Sequence, residues 1–190
     1  MLPPNTQVVM QAVKKDGLAL KEADSFLQND KLIVLAAVKQ NGDALQYASD
    51  DLKKDPEVVA EAIREHSRSI LFSSTALGDV ELVTLAVQRG FSDILSYVDE
   101  GLRGNKDLVV KVLERDGMQL EYADADLQGD LDVVATAVKK SGSAALEHAR
   151  KGVAQNTDLR SYAEKVDRLK AEWSEVMAFE DFVSRSAPPR

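Results

Sequence analysis

Aliphatic residues recur along this chain as adjacent pairs, with a second pair four residues after the first. The double pair itself returns about every 25 residues: Val8-Val9 with Ala12-Val13, Ile33-Val34 with Ala37-Val38, Val58-Val59 with Ala62-Ile63, Leu82-Val83 with Ala86-Val87, Leu108-Val109 with Val112-Leu113, and Val133-Val134 with Ala137-Val138. Positions i, i+1, i+4 and i+5 lie on one face of an α-helix. The pattern predicts six helices beginning near Asn5, Asp30, Asp55, Asp79, Asn105 and Asp130, at spacings of 25, 25, 24, 26 and 25 residues. Each start is Asp or Asn, whose side chain accepts from the free N–H groups of a first helical turn. Pro56 follows Asp55 directly, where a missing N–H costs nothing.

Each unit then breaks and restarts. Gly17, Gly42, Gly117 and Gly142 stand where the first helix ends, with Ser67 in repeat three and Gly90 one place early in repeat four. Glycine there suits a left-handed helix C-terminus. A second apolar set follows: Leu20/Ala23/Leu27, Leu45/Ala48/Leu52, Ile70/Ser73/Leu77, Leu95/Val98/Leu102, Leu120/Ala123/Leu127 and Leu146/Ala149/Val153. Its i, i+3, i+7 spacing reads as a shorter helix. Asp24, Ser49, Ser74, Asp99 and Asp124 come just after its middle and are placed to cap a final turn.

A unit this small cannot bury its own apolar face, so neighbours must stack. The fold class expected is all-α: a right-handed α-solenoid of six units of ~25 residues with a C-terminal capping helix. The repeat array is assigned to residues 1–155, a long amphipathic helix to 156–185 and a disordered tail to 186–190. On that helix Leu159, Tyr162, Val166, Leu169, Trp173 and Val176 are spaced 3, 4, 3, 4, 3, a heptad seam. Two uses are open for the seam: covering the end of repeat six, or joining a partner helix.

The phrases VVMQAVKKDGLAL, IVLAAVKQNGDALQYASDDL and LEYADADL resemble a tandem helical repeat family known only as a domain of unknown function. That family is found in bacterial effector-like, protist and algal proteins, and its unit spans about two of the repeats counted here. Repeats three (AIREHSRSILFSS) and four (AVQRGFSDILSYV) depart from its Gly-x-x-Leu pattern. The resemblance implies architecture and no chemistry.

Charge and composition narrow the function. The net charge is −8, with 24 basic against 32 acidic residues, which argues against a nucleic-acid binder. There is no cysteine, so disulfides, thiolate metal sites and a cysteine nucleophile are excluded, and a reducing compartment, cytoplasm or organelle interior, is favoured. No apolar run reaches the ~18 residues of a membrane span, and MLPPNTQ has no signal or transit pattern. His66 and His148 have no zinc-ligand spacing. The run from Asp124 to Asp130 looks like a calcium loop, but Ala135 stands where a bidentate Glu belongs. Phosphate-binding glycine motifs and a Gly-x-Ser-x-Gly elbow are missing. No catalytic, cofactor or metal residue is therefore assigned, and the expectation is a non-enzyme.

Two periodic features remain as candidates. Lys14-Lys15, Lys39, Arg64, Arg89, Arg115 and Lys139-Lys140 form a basic column at the first-helix ends, with Glu57, Glu81, Asp107 and Asp132 at the opposite ends. Charge placement against the helix dipoles accounts for both; a basic edge for an acidic partner is the alternative. Tyr47, Phe72, Tyr97, Tyr122 and His148 stand two residues after each second-helix Leu or Ile, off its core face, with Glu22 in repeat one. Four of the nine Phe and Tyr residues share this column. Rings there are read either as inter-repeat packing or as a half-exposed ridge for a partner. The function expected is a protein-interaction scaffold binding a protein partner. A structural accessory subunit of a larger assembly, an organellar membrane-associated one included, is the alternative, and a nucleic-acid-binding solenoid ranks third.

Overall fold

The computed structural model describes residues 4–186, with side chains for 5–174. The described residues form helices and no strand, an all-α repeat fold. They divide into two compact units, residues 1–111 and 112–190.

The six first helices are Pro4–Lys15, Lys31–Gln40, Pro56–Glu65, Val80–Gln88, Lys106–Leu113 and Leu131–Ser141. Five of the starts follow from side-chain caps, whereas the first helix begins at Pro4, ahead of the expected cap Asn5, whose side-chain amide donates to Asp24 Oδ2. Asp30 Oδ1 accepts from the N–H groups of Leu32 and Ile33, Asp55 Oδ1 from Glu57 and Val58, and Asp79 Oδ1 from Glu81 and Leu82. Asn105 accepts from Leu108, and Asp130 from Asp132 and Val133. From repeat two onward both aliphatic pairs of every first helix are buried. Core substitution from Leu or Ile to Ala there costs about 2–5 kcal/mol.

The second segment differs from the expected α-helix. It is a six- or seven-residue 3-10 helix in five repeats, among them Gly17–Glu22, Gly42–Tyr47, Ser67–Phe72 and Gly117–Tyr122. In repeat four only Ile94–Ser96 remains. A 3-10 helix has three residues per turn, so its apolar i and i+3 positions eclipse on one side. Six residues with that spacing satisfy either helix type, and the choice is made by packing. Asp16, Asn41 and Asp116, each preceding the Gly, cap these segments from the side chain.

The glycines do a different job from the one their place in sequence indicates. Positive φ occurs only at Gly90 and Gly142 among the described residues. Gly90 closes its helix with a Phe91 N–H to Ala86 carbonyl bond of 2.9 Å, the Schellman arrangement. Gly17, Gly42 and Gly117 have ordinary backbone but no room. A Cβ on each would strike the carbonyl oxygen of Ala37, Ala62 or Ala137, in the first helix of the next repeat. Glycine therefore sets how closely successive repeats approach.

A short last turn completes each unit. Asp24, Ser49 and Asp124 cap it as expected. In repeat three the cap is Ser73 rather than Ser74, since Ser73 Oγ accepts from Ala76 N, and Asp99 makes no side-chain cap bond. In repeats one, four and five the residue after the turn's Leu folds back over the preceding segment. Gln28 Nε2 donates to the Leu20 and Lys21 carbonyls, and Gln128 Nε2 to those of Leu120 and Glu121. Arg103 does the same to Val98 and Ser96.

The C-terminal helix runs Thr157–Ser186. It packs on Gly142–His148 and Leu131–Ser141 within the second unit, but along a face other than the heptad seam. Leu159 and Ala163 are buried and Val166 is half-buried, while Tyr162 is exposed, Leu169 is 46% exposed and Trp173 is 67% exposed. The Val176 side chain and residues 187–190 of the expected tail lie outside the described residues, and Ser186, assigned to that tail, is the last residue of the helix. The seating face begins as a first helix does. Asn156 accepts from Leu159 N at 2.9 Å, and Leu159 and Ala163 then fall three and seven residues after the cap, as Val133 and Ala137 do after Asp130. The two positions that would face a further repeat are the charged, exposed Arg160 and Glu164. This is a seventh first helix with its outer face made polar. Asp167 completes the seat by accepting from Ser143 N at 3.2 Å.

Candidate interaction surface

Of the ring column, Tyr47, Phe72, Tyr122 and His148 are half-buried, and Tyr97 is 43% exposed. Tyr97 stands apart because repeat four is irregular. It is one residue longer than the 25-residue period, at 26 from Asp79 to Asn105, Gly90 ends the helix early, and Phe91 enters the core at 1% exposure. The second segment is cut to three residues, and Tyr97 becomes its C-cap, its N–H donating to the Ile94 carbonyl.

The shift builds a cluster. The Tyr97 ring lies against Phe91 at a centroid distance of 5.7 Å, tilted by 47°. The Arg68 guanidinium covers Phe91 at 4.6 Å from the ring centroid. Arg68 Nη1 in turn donates to both oxygens of Asp93 at 3.2 Å. Such aromatic and cation–π contacts each contribute about 0.5–1.5 kcal/mol. Tyr97 is thus a fixed ring with an open face, in a setting made by residues from repeats three and four. The column position was legible in sequence, whereas the part played by Arg68 and Phe91 was not: Phe91 reads as an insertion, and Arg68 as one more surface charge.

All side chains of the basic column are exposed, as are Glu57, Glu81, Asp107 and Asp132. Arg64 is spent on Glu61 at 2.7 Å, and Arg89 donates to the Arg64 carbonyl. The run from Asp124 to Asp130 is committed locally: Asp124 and Asp130 serve as caps, and Asp126 lies 3.8 Å from Arg150. Between repeats two and three, Lys31 Nζ contacts Asp55 at 2.7 Å and Glu57 at 2.8 Å. The Lys31 hydrogen bond, with the backbone N–H groups of Val58 and Glu57, holds the Asp55 carboxyl below its ordinary range, and the hydrogen bonds to the Asp55 and Glu57 carboxylates raise Lys31. A lowered carboxyl stabilises the fold above its unfolded value of about 4, and that contribution disappears as pH falls through the folded value. The raised Lys31 contributes below about pH 10 and loses its share above that. Lys31→Gln is expected to make the denaturation midpoint less sensitive to acidification from pH 5 to 2. Parallel acid limbs for the two proteins would show that the pair is not coupled to folding.

Four stretches of the chain, residues 5–53, 30–77, 79–128 and 105–152, match the family described as Domain of unknown function (DUF4116). The chain belongs to this family. Each DUF4116 match takes in two structural repeats, in agreement with the sequence resemblance. None of the four spans repeats three and four together, the junction that carries the Tyr97 cluster. No curated protein and no solved structure matches the chain. Among the described residues, no helix is long and apolar enough to cross a membrane.

Proposed function

We propose that this DUF4116 chain is a non-catalytic interaction scaffold that takes a protein partner on the repeat surface around Tyr97. The observation behind the reading is the clamped, open-faced ring of Tyr97 at the junction of repeats three and four, where the repeat rule is broken. Departures from local rules gather at functional sites. Tyrosine held in place by neighbours loses little freedom on binding and is enriched among interface hot spots. Tyr122, half-buried in the same register, is the second candidate. Tyr47, Phe72 and His148 fit better as packing.

A photo-crosslinking residue at position 97, in the intact chain in native extract, tests this. The expected result is a discrete protein adduct that is missing when the crosslinker is moved to Glu22, the equivalent place in repeat one. Equal labelling from both positions would remove the assignment. A second reading, an accessory subunit buried in a larger assembly, draws on the exposed Tyr162, Leu169 and Trp173 of the C-terminal helix. In that case crosslinks form from position 173 and not from 97.

A further inference from the structure

The two ends of the repeat pattern are finished differently. At the carboxyl end, the helix beginning at Thr157 keeps Leu159 and Ala163 toward repeat six and places Arg160 and Glu164 outward. Among the described residues, repeat one has no such treatment on its other side. Its first helix carries Val8 and Ala12 in the positions held by Ile33 and Ala37 in repeat two and by Val58 and Ala62 in repeat three. Those four are fully buried, whereas Val8 is 65% exposed and Ala12 is exposed. Val13, on the side toward repeat two, is fully buried. No described residue covers Val8 and Ala12 as Ile33 and Ala37 are covered.

The structure also says what a covering neighbour looks like. Within the first unit, the 3-10 segments Gly17–Glu22 and Gly42–Tyr47 pack on the first helix of the following repeat. Gly17 and Gly42 rest on the carbonyls of Ala37 and Ala62 with no space for a Cβ. The Ser49 N–H donates to the Gln28 carbonyl across the first of these interfaces at 2.9 Å. Val8, Ala12 and the Ala12 carbonyl repeat the receiving half of this arrangement. We infer that the Val8/Ala12 face of repeat one is a docking surface for a further helical repeat of the same kind, led by a glycine-started 3-10 segment. The face continues the interfaces between repeats one, two and three. A second copy of this chain is a poorer occupant, because its own repeat six is covered by the C-terminal helix. What it has left to offer is another receiving half. This inference does not depend on Tyr97.

The test adds the proposed occupant to the whole chain. Residues 30–54 are duplicated in register ahead of Asn5, replacing residues 1–4, so that the copied Lys54 meets Asn5 as it meets Asp55. Because the chain has no cysteine, Val8→Cys supplies a single thiol whose alkylation by iodoacetamide reports cover at that face. The expected result is added helix by circular dichroism and alkylation slowed roughly tenfold or more relative to Val8→Cys in the original chain. Replacing the copied Gly42 with valine restores fast alkylation. An added repeat that stays unfolded, or one that protects the introduced thiol equally with glycine or valine, overturns the inference. Protection in the original chain that grows with protein concentration overturns it too, and assigns the face to a second copy.

Discussion

Gly42→Ala is expected to destabilise the chain by about 3 kcal/mol, at the upper end of the range for overfilled packing. The sign is informative, because alanine for glycine at an unstrained position usually adds about 0.4–1 kcal/mol. Gly42 has an ordinary φ, so the backbone would accept alanine. The obstacle is the next repeat: the new methyl meets the Ala62 carbonyl, with Ser69 Oγ at 2.9 Å and the His66 nitrogen at 3.0 Å. Two of these are backbone atoms and cannot rotate away, so the repeats must separate, uncovering Val58 and Ala62. Gly101→Ala is the matched control. It lies in the short helix Glu100–Arg103 with nothing within 4 Å of its absent Cβ, and it should gain up to about 1 kcal/mol. Urea midpoints of the two variants decide the matter. Similar shifts in both would mean that glycine acts through chain flexibility and not through contact.

The second large effect concerns the C-terminal helix. Ala163→Glu places a carboxylate at a fully buried position against repeat six, and about 3 kcal/mol or more should be lost. Trp173→Ala removes a far larger side chain, yet that ring is two-thirds exposed, so the change should stay within about 0.5 kcal/mol. Size and hydrophobicity predict the reverse order. If Trp173→Ala proved the more damaging of the two, the helix would be seated by its heptad seam.

These two cases show where reading the letters works and where it stops. The period, the six starts, five of their caps and the paired core positions come through in sequence because each depends on a local rule. The reason for Gly17, Gly42 and Gly117 does not, since the atom that forbids a side chain belongs to a residue 20 positions away. The C-terminal face was hidden for a related reason. Its key residue is Ala163, whose small size permits close approach while giving a weak hydrophobic signal. Leu169 and Trp173 draw the eye to a seam that the fold leaves open. Tyr97 could be placed in its column from the spacing, but its clamp required Phe91 to be seen entering the core and Arg68 reaching across from repeat three.

The proposal of a binding surface requires that Tyr97 serve recognition more than folding, and Tyr97→Ala measures both in one protein. Removal of the ring forfeits its contact with Phe91, about 1 kcal/mol, and leaves no large buried cavity at a site 43% exposed. The predicted result is a small fall in melting temperature, with capture of the crosslinked partner weakened by about 2 kcal/mol, roughly thirtyfold. Loss of about 3–5 kcal/mol of stability, the cost of removing a fully buried ring, with undiminished capture by the folded fraction would contradict it, and would make the ring a packing device.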